Sequence, residues 1–256
     1  MQQVLFEGVR TVLDGVEVHR GLSFSVESGQ VVCLLGPSGC GKTTALRVIA
    51  GLIPRYDGIV RVAGEETSIA WNRLAMVFQS PRLTYWRTAL ENVILGIELR
   101  NPTISKNDRT RRALAWLSTV GLEDSRDKFP RSLSGGEQHR LSLARALAVD
   151  PEILLMDEAF SDQDVVSRQR LWQLTLSLCQ TQSRTIVLVT HDVEEALFLA
   201  DRIHVLTAKP ATVHTTLDIT LPHPRHLELP DPKVDALRST LHRALRGSSE
   251  NSPEGL

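Results

Sequence analysis

An α/β fold with a parallel sheet is predicted by three features of this 256-residue chain. Short, predominantly apolar runs, Val31–Leu35, Ile153–Met156 and Thr185–Thr190, have the composition of strands buried on both faces. A glycine-rich loop, Gly36-Pro-Ser-Gly-Cys-Gly-Lys42-Thr43-Thr44, joins the first run to a segment of helical character. Polar residues, Asp157-Glu158 and His191, follow the other two runs directly, where the carboxyl edge of a parallel sheet gathers ligands.

Along the chain, Val4–Phe6, Leu22–Val26 and Ile59–Val62 read as short strands separated by the turns Glu27–Gln30 and Tyr56–Gly58, an antiparallel region beside the core. Thr44 to Gly51 reads as a helix closed by glycine. The middle third turns helical, over Ala89–Leu99 and Asn107–Val120. Ser105-Lys-Asn-Asp108 resembles a capping box before the second helix, and Gly121 ends it. At the end, Pro222, Pro224, Pro230 and Pro232 predict an extended linker. Val234, Leu237, Leu241 and Leu245 form one helical face, and disorder is expected from Gly247 to Leu256.

The formal net charge of −1 argues against a basic stripe suited to nucleic acid. Three cysteines without metal or redox spacing fit a reducing compartment. Cys40 reads either as an oxidisable thiol or as a small packing residue. No apolar stretch approaches the ~20 residues that cross a bilayer, and Met1 to Arg10 lacks a signal-peptide pattern, so membrane contact is expected through another protein.

The site residues follow from chemistry at these positions. Gly36, Pro37, Ser38, Gly39, Cys40 and Gly41 leave backbone N–H groups to cradle phosphates, Lys42 reaches the β- and γ-phosphates, and the Thr43 hydroxyl serves Mg²⁺. Thr44 continues the loop into a helix whose positive end faces the same anion. Asp157 is assigned to Mg²⁺ through its water shell and Glu158 to the attacking water, since neighbours on an extended strand head in opposite directions. His191 is placed to donate to the γ-phosphate, and Gln79, after the run Leu74–Phe78, to touch Mg²⁺ or water. Leu133-Ser134-Gly135-Gly136-Glu137-Gln138 is a second phosphate cradle at a helix start. Two cradles for one γ-phosphate imply ATP gripped from two sides, by two copies of the protein.

Together these residues resemble the ATP-binding subunit of an ABC transporter, over nearly the whole chain to about Arg225. Gly36–Thr43 matches the Walker A motif, Gln79 the Q-loop, Leu133–Gln138 the signature, Ile153–Asp157 with Glu158 the Walker B motif and catalytic base, Asp164 the D-loop, and His191 the switch histidine. The resemblance implies a RecA-like P-loop NTPase core, an antiparallel β-subdomain and an α-helical subdomain at about 81–149, within an ATP-binding domain at 1–228 and ahead of a C-terminal helix and tail at 229–256. It implies that Ser134, Gly135, Gly136 and Glu137 contact ATP held by a second ATP-binding subunit in a head-to-tail homodimer. It further implies a place at the cytoplasmic face of the inner membrane, peripheral through an integral-membrane permease, and, indirectly, a solute-binding protein.

Gln79–Thr88 with Glu91-Asn92-Val93 is similar to the importer branch for nitrate, sulfonates, taurine and thiamine-precursor pyrimidines, as are Leu206–Pro210 and Leu221–Arg225. Leu83, Tyr85 and Trp86 read equally as permease contacts or as local core. An exporter subunit or a non-transport ATPase is the alternative. Three departures from the family stand out: Leu13 where an aromatic stacks on adenine, Ala159–Asp164 in place of Pro-Phe-(Ser/Gly)-Ala-Leu-Asp, and His139 after the signature.

Overall fold

The computed structural model describes residues 1–161, 163–182, 184–225 and 231–250. Its elements begin with β1 (Gln2–Leu13), β2 (Val16–Glu27), β3 (Val31–Leu35), α1 (Lys42–Ile49), β4 (Asp57–Val62), β5 (Glu65–Glu66), β6 (Leu74–Val77), α2 (Ala89–Arg100) and α3 (Lys106–Thr119). They continue with α4 (Gly135–Leu147), β7 (Ile153–Asp157), α5 (Val165–Gln182), β8 (Thr185–Thr190), α6 (Val193–Leu199), β9 (Arg202–Leu206), β10 (Val213–Asp218) and α7 (Pro232–Glu250). The chain divides into two units, Met1–Trp71 with Leu178–Leu256, and Asn72–Ser177.

In the first unit, β2, β1, β4 and β5 form an antiparallel sheet in that order. β1 and β2 are far longer than the sequence pattern suggests, because bulges hide the alternation. Val4 and Phe6 are buried, then the register shifts at Gly8 (φ 60°) and the next buried residues are Val9 and Thr11. Gly21 (φ 68°) lies at a similar break in β2. Asp14 and Gly15, both at positive φ, close the hairpin, the conformation that matches a tight turn to strand twist.

The parallel strands of this unit are β9, β3 and β8, with β10 antiparallel beside β9. Every residue of β3 and β8 is buried, which is why β3 reads as an unbroken apolar run and β8 as one bounded by threonines. α7 extends beyond the expected helix: it starts at Pro232, the position where a missing N–H costs nothing, and continues through Gly247 to Glu250. Buried Ser248, whose carbonyl accepts from Ala208 N–H, holds that end in place of the disorder expected from Gly247. Pro230, the boundary at 228/229 and the tail at 251–256 lie outside the described residues.

In the second unit, β6 and β7 pair in parallel, and α2, α3 and α4 share one apolar core that includes Leu83, Val93, Ile97, Leu117, Leu133 and Leu141. The caps that start these helices lie in the sequence. Thr88 and Glu91 form a reciprocal capping box on α2, and Ser134 and Glu137 form another on α4. At α3 only half of the expected box forms. Ser105 Oγ accepts from Asp108 N–H, but the Asp108 carboxylate turns to the Ser105 hydroxyl rather than to its backbone.

Candidate functional site

The phosphate loop is shaped by close approach. Gly41 stands at φ 117°, and a Cβ there would lie 2.7 Å from Val18 Cγ1 and 2.9 Å from His19 Nε2, so only glycine fits. His19 is fully buried in β2, with Nε2 3.0 Å from the Gly41 carbonyl and Nδ1 3.1 Å from Thr11 Oγ1. A carbonyl only accepts, so the network assigns the proton to Nε2 and makes Nδ1 the acceptor from Thr11. Burial pulls the ring's pKa below its ordinary value, with the Gly41 bond opposing. The Lys42 ammonium donates to the carbonyls of Gly36 at 2.8 Å and Pro37 at 2.9 Å, which centres it within the loop. Cys40 is buried and burial raises its thiol pKa, so it is a packing residue rather than a reactive thiol.

His191 leaves the same sheet beside this loop. Leu35 and Thr190 are register partners on β3 and β8, so Gly36 and His191 are the next residues beyond a paired position. Behind His191, Asp192 caps α6 by accepting from the N–H groups of Glu194 and Glu195, and its own N–H donates to Thr190 Oγ1.

The other candidates lie in the second unit. Asp157 is the last residue of β7 and only 4% exposed. Glu158, expected to continue the strand, instead turns off it at φ 44°. Its separate heading therefore comes from a left-handed residue, a conformation that costs a non-glycine about 1–3 kcal/mol and is often found at functional sites. Ser161 supports this turn through its N–H and hydroxyl, which both donate to the Glu158 carbonyl. Gln79, exposed just beyond β6, brings its amide to 3.5 Å from Glu158 Oε2.

At the α4 start, the Ser134 hydroxyl and N–H both reach the Glu137 carboxylate, whose own N–H is capped by Ser134 Oγ. These bonds hold the Glu137 carboxyl below its ordinary pKa. Gly135 has open space around it, which leaves its surroundings accessible to a ligand. Gly136 instead faces Gln163 Oε1, which would lie 2.8 Å from an added Cβ. Ser134, Gly136, Arg140, Gln163, Asp164 and Arg170 line a cavity of about 470 Å³. Asp164 caps α5 by accepting from Ser167 N–H at 3.0 Å.

Leu83 is buried in the helical core, whereas Tyr85 is 45% and Trp86 80% exposed. Fully buried Asn92 fixes the loop that carries them: its Oδ1 accepts from Thr84 N–H, and its Nδ2 donates to the carbonyls of Thr84, Arg87 and Thr88. Sequence reasoning did not single out His19, and it named Asn92 and the segment containing Gln163 only as parts of motifs, without these contacts. Their partners lie up to tens of residues away, beyond the reach of local pattern.

A family profile described as ABC transporter matches residues 19–161. The chain is 35% identical over 210 residues to the aliphatic sulfonates import ATP-binding protein SsuB of Bacillus cereus, covering 82% of each chain. It is 38% identical over 203 residues to the nitrate import ATP-binding protein NrtD of Synechocystis, covering 79% of this chain and 76% of that one. Among solved structures, the dimeric post-hydrolysis ATP-binding cassette MJ0796 bound to ADP and Pi is similar, with a TM-score of 0.77 and 28% identity over 86% of this chain and all of that one.

Proposed function

Because this chain belongs to the ABC transporter family of ATP-binding proteins and is an ATPase of that family, we propose that it powers the import of a small solute through a partner permease. The observation that carries the permease reading is the loop presenting Tyr85 and Trp86: two exposed aromatics on a segment held by a fully buried asparagine make an apolar anchor for a partner. The import functions in the names of the sulfonate and nitrate relatives support import as the direction. Among the described residues no helix is long and apolar enough to cross a membrane, so a membrane position would come through the permease, at its cytoplasmic face.

Each residue's part follows from its chemistry. The loop at 36–44 and Lys42 bind the phosphates, and the buried Asp157 carboxylate, the Thr43 hydroxyl and the Gln79 amide oxygen are hard oxygen donors that suit Mg²⁺. Among the described residues no three His, Cys, Asp or Glu side chains cluster as a metal cage, which fits an ion held largely by the nucleotide. When bound, Mg²⁺ supplies charge neutralisation on the phosphates. Glu158 accepts a proton from the attacking water, Gln79 orients that water, and His191 donates to the γ-phosphate. Ser134, Gly135, Gly136 and Glu137 serve a nucleotide held by a second copy, with Asp164 beside them, as a dimeric relative makes reasonable.

The test is affinity capture from membranes with Glu158→Gln and ATP. Turnover should fall by on the order of a hundredfold or more while ATP binding persists and a dimer accumulates, with a short permease copurifying. Capture of an exporter's membrane domain, or of no membrane protein, overturns the importer reading. A wild type that binds ATP without turnover overturns the assignment of Glu158.

A further inference from the structure

We propose that His139 is a positioning residue that locks the signature turn to the backbone of Gln79, so that the two move as one body; this rests on the ATPase reading above. His139 lies one turn into α4 and is 5% exposed. Its Nδ1 is 3.0 Å from the Gly135 carbonyl and its Nε2 is 2.9 Å from the Gln79 carbonyl, 60 residues away. Both partners only accept, so a neutral ring donates to one of them and the two bonds together need a proton on each nitrogen, the imidazolium form. Beyond the ring, the Gln79 side chain reaches the Glu158 carboxylate. A single imidazole therefore stands between the serine-glycine turn and the group assigned to activate water.

A second grip limits how the segment can move. Six residues along α4, Arg145 donates to the carbonyls of Pro81 and Arg82, each at 3.0 Å. Arg82 itself stands at φ 45° with its guanidinium 4.3 Å above the Phe78 ring. One helix thus holds the backbone at 79, 81 and 82, just ahead of the exposed Tyr85 and Trp86. A push on that loop is delivered to α4 at two points. Only His139 also touches the first turn of the signature, so removing its ring separates the two ends while Arg145 keeps the segment docked.

The test compares the full-length wild type with His139→Leu and His139→Gln. Without nucleotide, His139→Leu should speed amide exchange across 79–82 and 134–138 by on the order of tenfold, with the global unfolding midpoint nearly unchanged. In turnover, its kcat should fall about tenfold while KM for ATP stays within about twofold, and His139→Gln, which keeps one donor, should recover most of the loss. Wild-type exchange in both segments overturns the proposal. So does a His139→Gln variant as impaired as His139→Leu, with kcat, KM and the unfolding midpoint all shifted, because that marks a general packing role. A wild type without ATP turnover would sink the functional reading alone, and the exchange comparison would still decide the link.

Discussion

The loop at 36–44 and the turn at 134–136 are both glycine-rich and both proposed to hold phosphate, yet they are built differently. At the loop, backbone geometry carries the shape: Gly41 has a φ that only glycine adopts at ease, with Val18 and His19 against its Cα. At the turn, side chains carry it: the Ser134–Glu137 box, the His139 bridge to Gln79 and the Gln163 carboxamide against Gly136. Glycine is enforced at the first and yields at the second, because the atom nearest Gly136 is the far end of a flexible side chain. The lesson is that a motif's glycines need separate physical accounts even when its ligand chemistry is shared.

Gly41→Ala should break the first kind of site most severely. It places a methyl against Val18 and His19 at positive φ, costing about 3 kcal/mol and lowering ATP affinity at least about tenfold, as denaturation and nucleotide titration would read. In the second unit, Asn92→Ala should cost about 3 kcal/mol, since it removes a fully buried amide that holds the 84–88 loop. Loss of permease binding without loss of basal ATPase is the accompanying expectation, measured by copurification.

Acid should distinguish the two units. On β9, burial pushes His204 from 6.5 down to about 4. Between those values the unfolded chain holds a proton that the native ring refuses, so stability falls as pH drops from 6.5 toward 4, by on the order of 3 kcal/mol when complete. His19 moves in the same direction. Glu137 also loses its contribution on acidification, but at lower pH. Its lowered carboxyl contributes fully above its ordinary 4.5 and is lost only as pH falls through its lower folded value. Amide protection, taken relative to the intrinsic rate at each pH, should therefore fall in β3 and β9 before it falls in the first turn of α4, and His204→Leu should flatten the first phase. The smallest effect is expected of Gly136→Ala. The helix gains about 1 kcal/mol of propensity and Gln163 swings aside at similar cost, so stability changes little until Gln163→Ala is added, when the gain appears.

Local rules make much of the molecule legible from residue order alone. The buried parallel strands, the glycine-rich loop at 36–44 and the helices α2 and α3 all follow from patterns contained within a dozen or so neighbouring residues, whereas the reciprocal boxes at Thr88 and Ser134 are not read there. The long hairpin of β1 and β2 is not legible in this way, because bulges at Gly8 and Gly21 interrupt the alternation that a period-two reading needs. The end of α7 escapes for a related reason. Gly247 and its serines have poor helix propensity, and only the docking of Ser248 overrides it.

By itself, then, the sequence determined the family and placed the glycine-rich loop at 36–44, the acidic pair at the end of β7 and the serine-glycine helix start, since residue type and short spacing set those patterns. Tertiary structure decided how they are held. It turned Glu158 off its strand, placed His19 under Gly41, and separated buried Leu83 from exposed Trp86. It also joined Gly135 to Gln79 through His139. Such contacts depend on where distant segments pack, and a buried polar atom must find its partner in space rather than along the chain.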